Sequence, residues 1–147
     1  MNCNIDDLYI YFYLDDKIKT NFYNIFIKYL YRWLGRNNLN NLNDKVGNLK
    51  NLKRLSVADN NLSQLPTGIK NLKNLTHLYL YKNKLKELPP EIGELENLIH
   101  LDVESNKLNK LPEELKKLTK LENLDIENNQ FSEFPAIIFE LKNLVKL

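Results

Sequence analysis

The chain is predicted to be an α/β solenoid. Short parallel strands line one face, short helical or 3-10 segments back them, and a helical cap closes the N-terminal end. Three observations carry this. Leu52, Leu75, Leu98, Leu121 and Leu144 recur every 23 residues. Asn60, Asn83, Asn106 and Asn129 keep the same interval, and so do Pro66, Pro89, Pro112 and Pro135. A fixed period in the range of about 20–50 residues marks stacked units, none of which can bury its apolar face alone. The 147 residues suit one domain, divided into a cap over residues 1–34 and repeats over residues 35–147.

The strand comes first in each unit. Leu78 and Leu80 alternate with His77, Tyr79 and Tyr81, and a period of two means a strand with one face buried. Strands that recur at a fixed interval in one orientation pair in parallel, with the intervening chain crossing back behind them. The asparagine follows the strand. Its amide can donate and accept, which suits a point where the backbone turns inward and leaves polar groups to satisfy. A structural role is therefore assigned to this column and no catalytic one. The return segment, as in Leu111-Pro-Glu-Glu-Leu-Lys-Lys-Leu118, is apolar every three to four residues. Proline stands where a helix starts, and acids precede bases in the sense of the helix dipole. One or two helical turns are expected there.

The ends depart from the pattern. Upstream, Leu34, Asn37, Leu39, Leu42, Val46 and Leu49 hold the register, but Asn43 replaces the proline and Arg32 occupies an apolar strand position. This first unit is degenerate, as terminal repeats are. Before it, Ile18, Phe22, Ile25, Phe26, Tyr29 and Trp33 have helical spacing, with Asp15 or Asp16 placed to cap the helix. Downstream, Leu144 and Leu147 begin a fifth strand with no polar unit after it. Ile137 and Phe139 fall where exposure is expected, so an apolar patch is predicted at this end. It is either a truncated or poorly optimised end, or a surface for docking and homodimerisation.

Each unit reads L-x-x-L-x-[LVI]-x-x-N-x-[LF]-x-x-[LF]-P-x-x-[IL]-x-x-L, and over about residues 37–147 the chain resembles the leucine-rich repeat family. The type it is most similar to is the 23-residue intracellular one of Ras-pathway scaffolds and Scribble-like polarity proteins. The resemblance implies a right-handed horseshoe with its strands on the concave face, and a binding module instead of an enzyme. Secreted members commonly carry cysteine-rich caps, whereas Cys3 stands alone here. No basic segment precedes the first apolar run, and no run is long enough to span a bilayer, so an intracellular, cytoplasmic location is expected. A net charge of +2 gives no reason to expect nucleic acid as a partner.

Function is expected in the concave positions that vary between units. One column runs Tyr31, Arg54, His77, His100, Asn123, and the next Trp33, Ser56, Tyr79, Asp102, Asp125. A third runs Gly35, Ala58, Tyr81, Glu104, Glu127, and a fourth Arg36, Asp59, Lys82, Ser105, Asn128. Aromatic and basic groups therefore dominate the early units, and Asp102, Glu104, Asp125 and Glu127 form an acidic block in the later ones. Mutual repulsion should raise some of these carboxyl pKa values. The partner expected is a protein or peptide whose basic stretch meets the acids and whose apolar residues meet the tyrosines. A metal or catalytic site at His77, His100, Asp102 and Glu104 is the weaker alternative. Such a site would be open and without a pocket, and Cys3 has no histidine near it in sequence. The four glycines form no phosphate-binding loop, so no cofactor is assigned.

Overall fold

The computed structural model describes residues 38–147. The sequence-predicted cap over residues 1–34, with Tyr31 and Trp33, lies outside the described residues. Four parallel strands form one sheet in chain order: β1 (Arg54–Ser56), β2 (His77–Tyr79), β3 (His100–Asp102) and β4 (Asn123–Asp125). Equivalent residues face one another throughout, as in Leu55 opposite Leu78, Leu78 opposite Leu101 and Leu101 opposite Leu124. Behind the strands run five 3-10 turns: η1 (Asp44–Asn48), η2 (Thr67–Asn71), η3 (Pro90–Glu94), η4 (Glu113–Lys117) and η5 (Ala136–Glu140). The fifth strand is represented by a bridge from Lys146 to Asn123.

Strand and turn enclose a single apolar core. Leu55, Leu78, Leu101 and Leu124 point inward from the strands, and Ile69, Ile92, Leu115 and Ile138 meet them from the 3-10 turns. Leu62, Leu85 and Leu108 fill the layer after each strand and are fully buried. Five residues of 3-10 helix make too few internal bonds to persist alone, so their order comes from this burial.

Hydrogen bonding between units extends past the short strands. Val57 N–H donates to the Tyr79 carbonyl at 3.0 Å, and Asp59 N–H to that of Tyr81 at 2.9 Å. The same pair of bonds recurs at Leu80 and Lys82, and again at Val103 and Ser105. A left-handed residue stands at this point in four successive units: Asp59, Lys82, Ser105 and Asn128 have φ of 53–56°. This backbone is costly for a residue with a side chain, and at Asp59, Lys82 and Ser105 the following unit holds it by hydrogen bonding. The fourth column, expected on the concave face, is therefore a turn.

Just beyond that turn, the asparagine column joins adjacent units. Asn83 Nδ2 donates to the Leu80 carbonyl of its own unit at 2.9 Å and to the Val57 carbonyl of the preceding one at 3.0 Å. Its Oδ1 accepts from Leu62 N–H at 3.0 Å. Asn106 repeats this with Val103, Leu80 and Leu85, and Asn129 with Ile126, Val103 and Leu108. A second amide series sits at the opposite end of the strand, which the sequence reading did not single out. Asn74 Nδ2 donates to the Lys50 carbonyl and Asn97 Nδ2 to that of Lys73, both at 2.8 Å, and Asn143 reaches Thr119. Its signal was the Asn-Leu pair opening the units at Asn51, Asn74, Asn97 and Asn143.

Several expectations change. Proline precedes the turn instead of starting it: Pro66, Pro112 and Pro135 are extended N-cap residues, and Pro90 alone among the described residues begins a turn. Asn43 keeps the same extended backbone and caps η1, its Oδ1 accepting from Lys45 N–H at 2.9 Å. The missing proline is thus replaced by a side-chain cap. Ile137, expected to be exposed, is buried at 5% because η5 turns it toward the core. Phe139 is 81% exposed as expected, and Phe134, in the column of the buried Leu65, Leu88 and Leu111, joins it at 53%. Turns η1 and η2 approach so closely that a Cβ at Gly68 would run into the Asp44 carbonyl, and one at Gly47 into that of Gly68.

Replacing Asn106 with Ala should cost about 2–4 kcal/mol in urea unfolding, since Leu85 N–H and two carbonyls lose a buried partner. Asn129→Ala should cost less, because Asn129 is only half-buried. Equal losses would show that the ladder is not what sets the difference.

Candidate functional site

The columns expected to line a concave face lie on the outward side of the sheet, and strand register decides which side chains meet there. Arg54 lies opposite His77, and His77 opposite His100, while Tyr79 lies between Ser56 and Asp102. Ser56 and Ala58 are buried, being too short to rise above their neighbours. The basic and aromatic end of the face is therefore made by β2 and its flanks.

Three rings cluster at that end. His77 and His100 stack with centroids 5.8 Å apart and planes at 19°, and Tyr79 meets His100 at 4.9 Å. Thr76, which the sequence reading passed over, sets the state of His77. Its hydroxyl donates to the Lys53 carbonyl at 2.8 Å, so its oxygen can only accept at the 2.9 Å contact with His77 Nδ1. His77 therefore carries a proton on Nδ1, and when neutral it presents Nε2 to solvent as an acceptor. Burial, then the Arg54 cation and then His100, holds its pKa below the ordinary histidine value. The signal for Thr76 was a hydroxyl directly before the strand, a place taken by Lys53, Ile99 and Glu122 in other units.

The acidic block is tighter and smaller than expected. Carboxylate oxygens of Asp102, Glu104 and Asp125 lie within 4.8 Å of one another, whereas Glu127 is exposed and stands apart from this trio. Asp102 Oδ1 accepts from Glu104 N–H, and Asp125 Oδ1 from Glu127 N–H, both at 3.1 Å. Glu104 Oε1 accepts from Ser105 Oγ at 3.1 Å and from Asn128 Nδ2 at 3.4 Å. These bonds hold three like charges together. The Asp102 pKa is raised, as the sequence led one to expect, but desolvation is the largest cause and repulsion from Asp125 and Glu104 adds to it. Clustered oxygens of this kind suit a cation: a hard metal ion, an ammonium or a guanidinium. His77 and His100 are not within reach of this trio as co-ligands.

The signs of these shifts lead to two outcomes. His77 is held neutral where the unfolded chain is already protonated. Its contribution to stability is thus complete above the ordinary histidine pKa and is lost as pH falls from there through the folded value. Proton NMR should show His77 titrating below a reference histidine and moving up in Arg54→Ala. Asp102 behaves oppositely: its contribution is complete at low pH and is lost as pH rises through its raised pKa. Asp102→Asn keeps the acceptor for Glu104 N–H and should stabilise the protein at neutral pH by about 0.2–1 kcal/mol, through relief of the charge opposite Asp125.

A family model described as a leucine-rich repeat region matches residues 30–147. Among solved structures, a leucine-rich repeat protein of Leptospira interrogans superposes with a TM-score of 0.72 at 44% identity, covering 74% of this chain and 28% of its own. An internalin of Listeria monocytogenes superposes at 0.65 with 29% identity, covering 73% of this chain and 31% of its own. The chain thus spans less than a third of the length of either structure. Among curated proteins none matches it. No helix among the described residues is long and apolar enough to cross a membrane.

Proposed function

The chain belongs to the leucine-rich repeat family, and from that premise we propose that it is a protein-interaction module, not an enzyme, whose concave face binds a partner protein or peptide with a basic stretch. Family membership supports protein binding in general. The observation that carries the finer reading is the convergence of Asp102, Glu104 and Asp125 within 4.8 Å beside the ring cluster of Tyr79, His77 and His100. Asp102 and Asp125 are oriented by the amides of Glu104 and Glu127, and Glu104 by Ser105 and Asn128, so a lysine or arginine would meet ready-made acceptors at little ordering cost. Tyr79 and Tyr81 add half-buried amphipathic surface at the same edge. The right-handed horseshoe implied by the repeat would make this face concave, in keeping with the handedness of parallel crossovers. The lone Cys3 favours a reducing, cytoplasmic setting.

A second reading rests on the C-terminal end, where Phe134, Phe139, Val145 and Leu147 are exposed and the two phenylalanine rings pack at 5.6 Å. Assembly through that end, homodimerisation included, would cover them. Sedimentation of the chain at high concentration separates this reading from the first, since a monomeric Phe139→Glu variant that keeps its partner leaves the concave face as the binding surface.

Affinity capture from source-cell lysate tests the main reading. Captured proteins should be lost with Tyr79→Ala/Tyr81→Ala and with Asp102→Lys/Asp125→Lys, and binding should weaken as salt rises. A capture profile unchanged by both double variants would overturn the placement.

A further inference from the structure

We infer that the segment bound on this face is extended and dipolar, with an acidic side chain over Arg54 and a basic side chain over the Asp102–Glu104–Asp125 trio, four or five residues apart. The inference rests on the concave-face reading above and specifies its partner.

The face has two ends of opposite sign, set by different strands. Arg54 projects, exposed, from β1. The acids belong to β3, β4 and the residues just after them. Asp59, the one acid in the β1 unit on this face, sits at the turn end of its strand, five positions from Arg54. Adjacent strands lie about 4.8 Å apart. From β1 to a point between β3 and β4 is two and a half such steps, or about 12 Å. Asp102 and Asp125 stand two residues, about 6.6 Å, further along their strands than the residues in register with Arg54, so the diagonal is about 14 Å. An extended chain advances about 3.3 Å per residue, so four to five residues join a contact at Arg54 to one at the trio.

Between these ends lies the ring cluster. It offers an aromatic surface, and it offers His77 Nε2 as an acceptor while the imidazole is neutral. A segment charged at both ends with the same sign would be attracted at one end and repelled at the other. An uncharged segment would forgo both attractions. The arrangement therefore selects a pair of opposite charges at one spacing. Either chain direction can satisfy it, so the spacing is selected and not the order.

Selection from a random-peptide display library against the folded chain tests this. Enriched peptides should carry an acid and a base four or five residues apart with an apolar or aromatic residue between them. Arg54→Ala should weaken a selected peptide by about two- to fivefold. Selection against Arg54→Glu should drop the acid and keep the base, and selection against Asp102→Asn/Asp125→Asn should drop the base and keep the acid. Circular dichroism melts confirm that each variant is folded. Bases that depend on Asp102 and Asp125, without acids that follow Arg54, would overturn the dipolar inference and leave the concave-face reading standing. Enrichment insensitive to every variant, or no enrichment at all, would overturn both.

Discussion

The rest of the structure depends on one interaction, the asparagine amide that follows each strand. It donates to carbonyls of its own unit and of the preceding one, and accepts from an N–H one repeat earlier, as Asn83 does with Leu80, Val57 and Leu62. At this point the chain leaves the sheet through a left-handed residue and its backbone groups turn inward. Inside an apolar core those groups would otherwise be unpaired, which is among the larger penalties a fold can incur. A side chain that donates twice and accepts is what that geometry requires, and so the amide sets the relative height of successive units. The leucines then face leucines because the register is already decided.

A scaffold held in this way leaves its outward strand positions nearly unconstrained by packing. Arg54, His77, Tyr79, Asp102 and Asp125 share two columns although they differ in size, charge and polarity. The face accommodates a charge gradient because its members are anchored locally. Asp102 and Asp125 are held by amides two residues further on, and His77 by Thr76, which is itself held by Lys53. The acidic trio carries a repulsive cost in the free protein, and desolvation of Asp102 adds to it. Clusters that oppose folding in this way are ordinarily found where binding, not stability, shapes the surface.

Much of this was legible in the chain. The period, the two buried strand positions, the short return segment and the outward strand columns all follow from side-chain size and alternation, which are local properties. What was misread shares one cause. Pro112 looked like the first residue of a helix and is the extended residue before it. Ile137 looked exposed and is buried, while Phe134, in an otherwise buried column, is open. Glu127 looked like part of the acid block and lies outside it. Each of these residues lies in or beside a short strand or turn, and periodicity shows which positions are equivalent without showing how the chain turns there.

The sequence by itself determined the family, the unit length, the parallel pairing and the set of residues that share a face. These depend on which positions repeat, and a 23-residue period carries that information without coordinates. Only the tertiary structure decided which members of that face touch. It drew Asp102, Glu104 and Asp125 to within 4.8 Å, stacked His77 on His100, and fixed the His77 proton through Thr76. The reason is physical: column membership is set by the backbone repeat, but contact depends on side-chain torsions and on hydrogen bonds to groups a whole unit away in sequence. Those partners become neighbours only once the units have stacked.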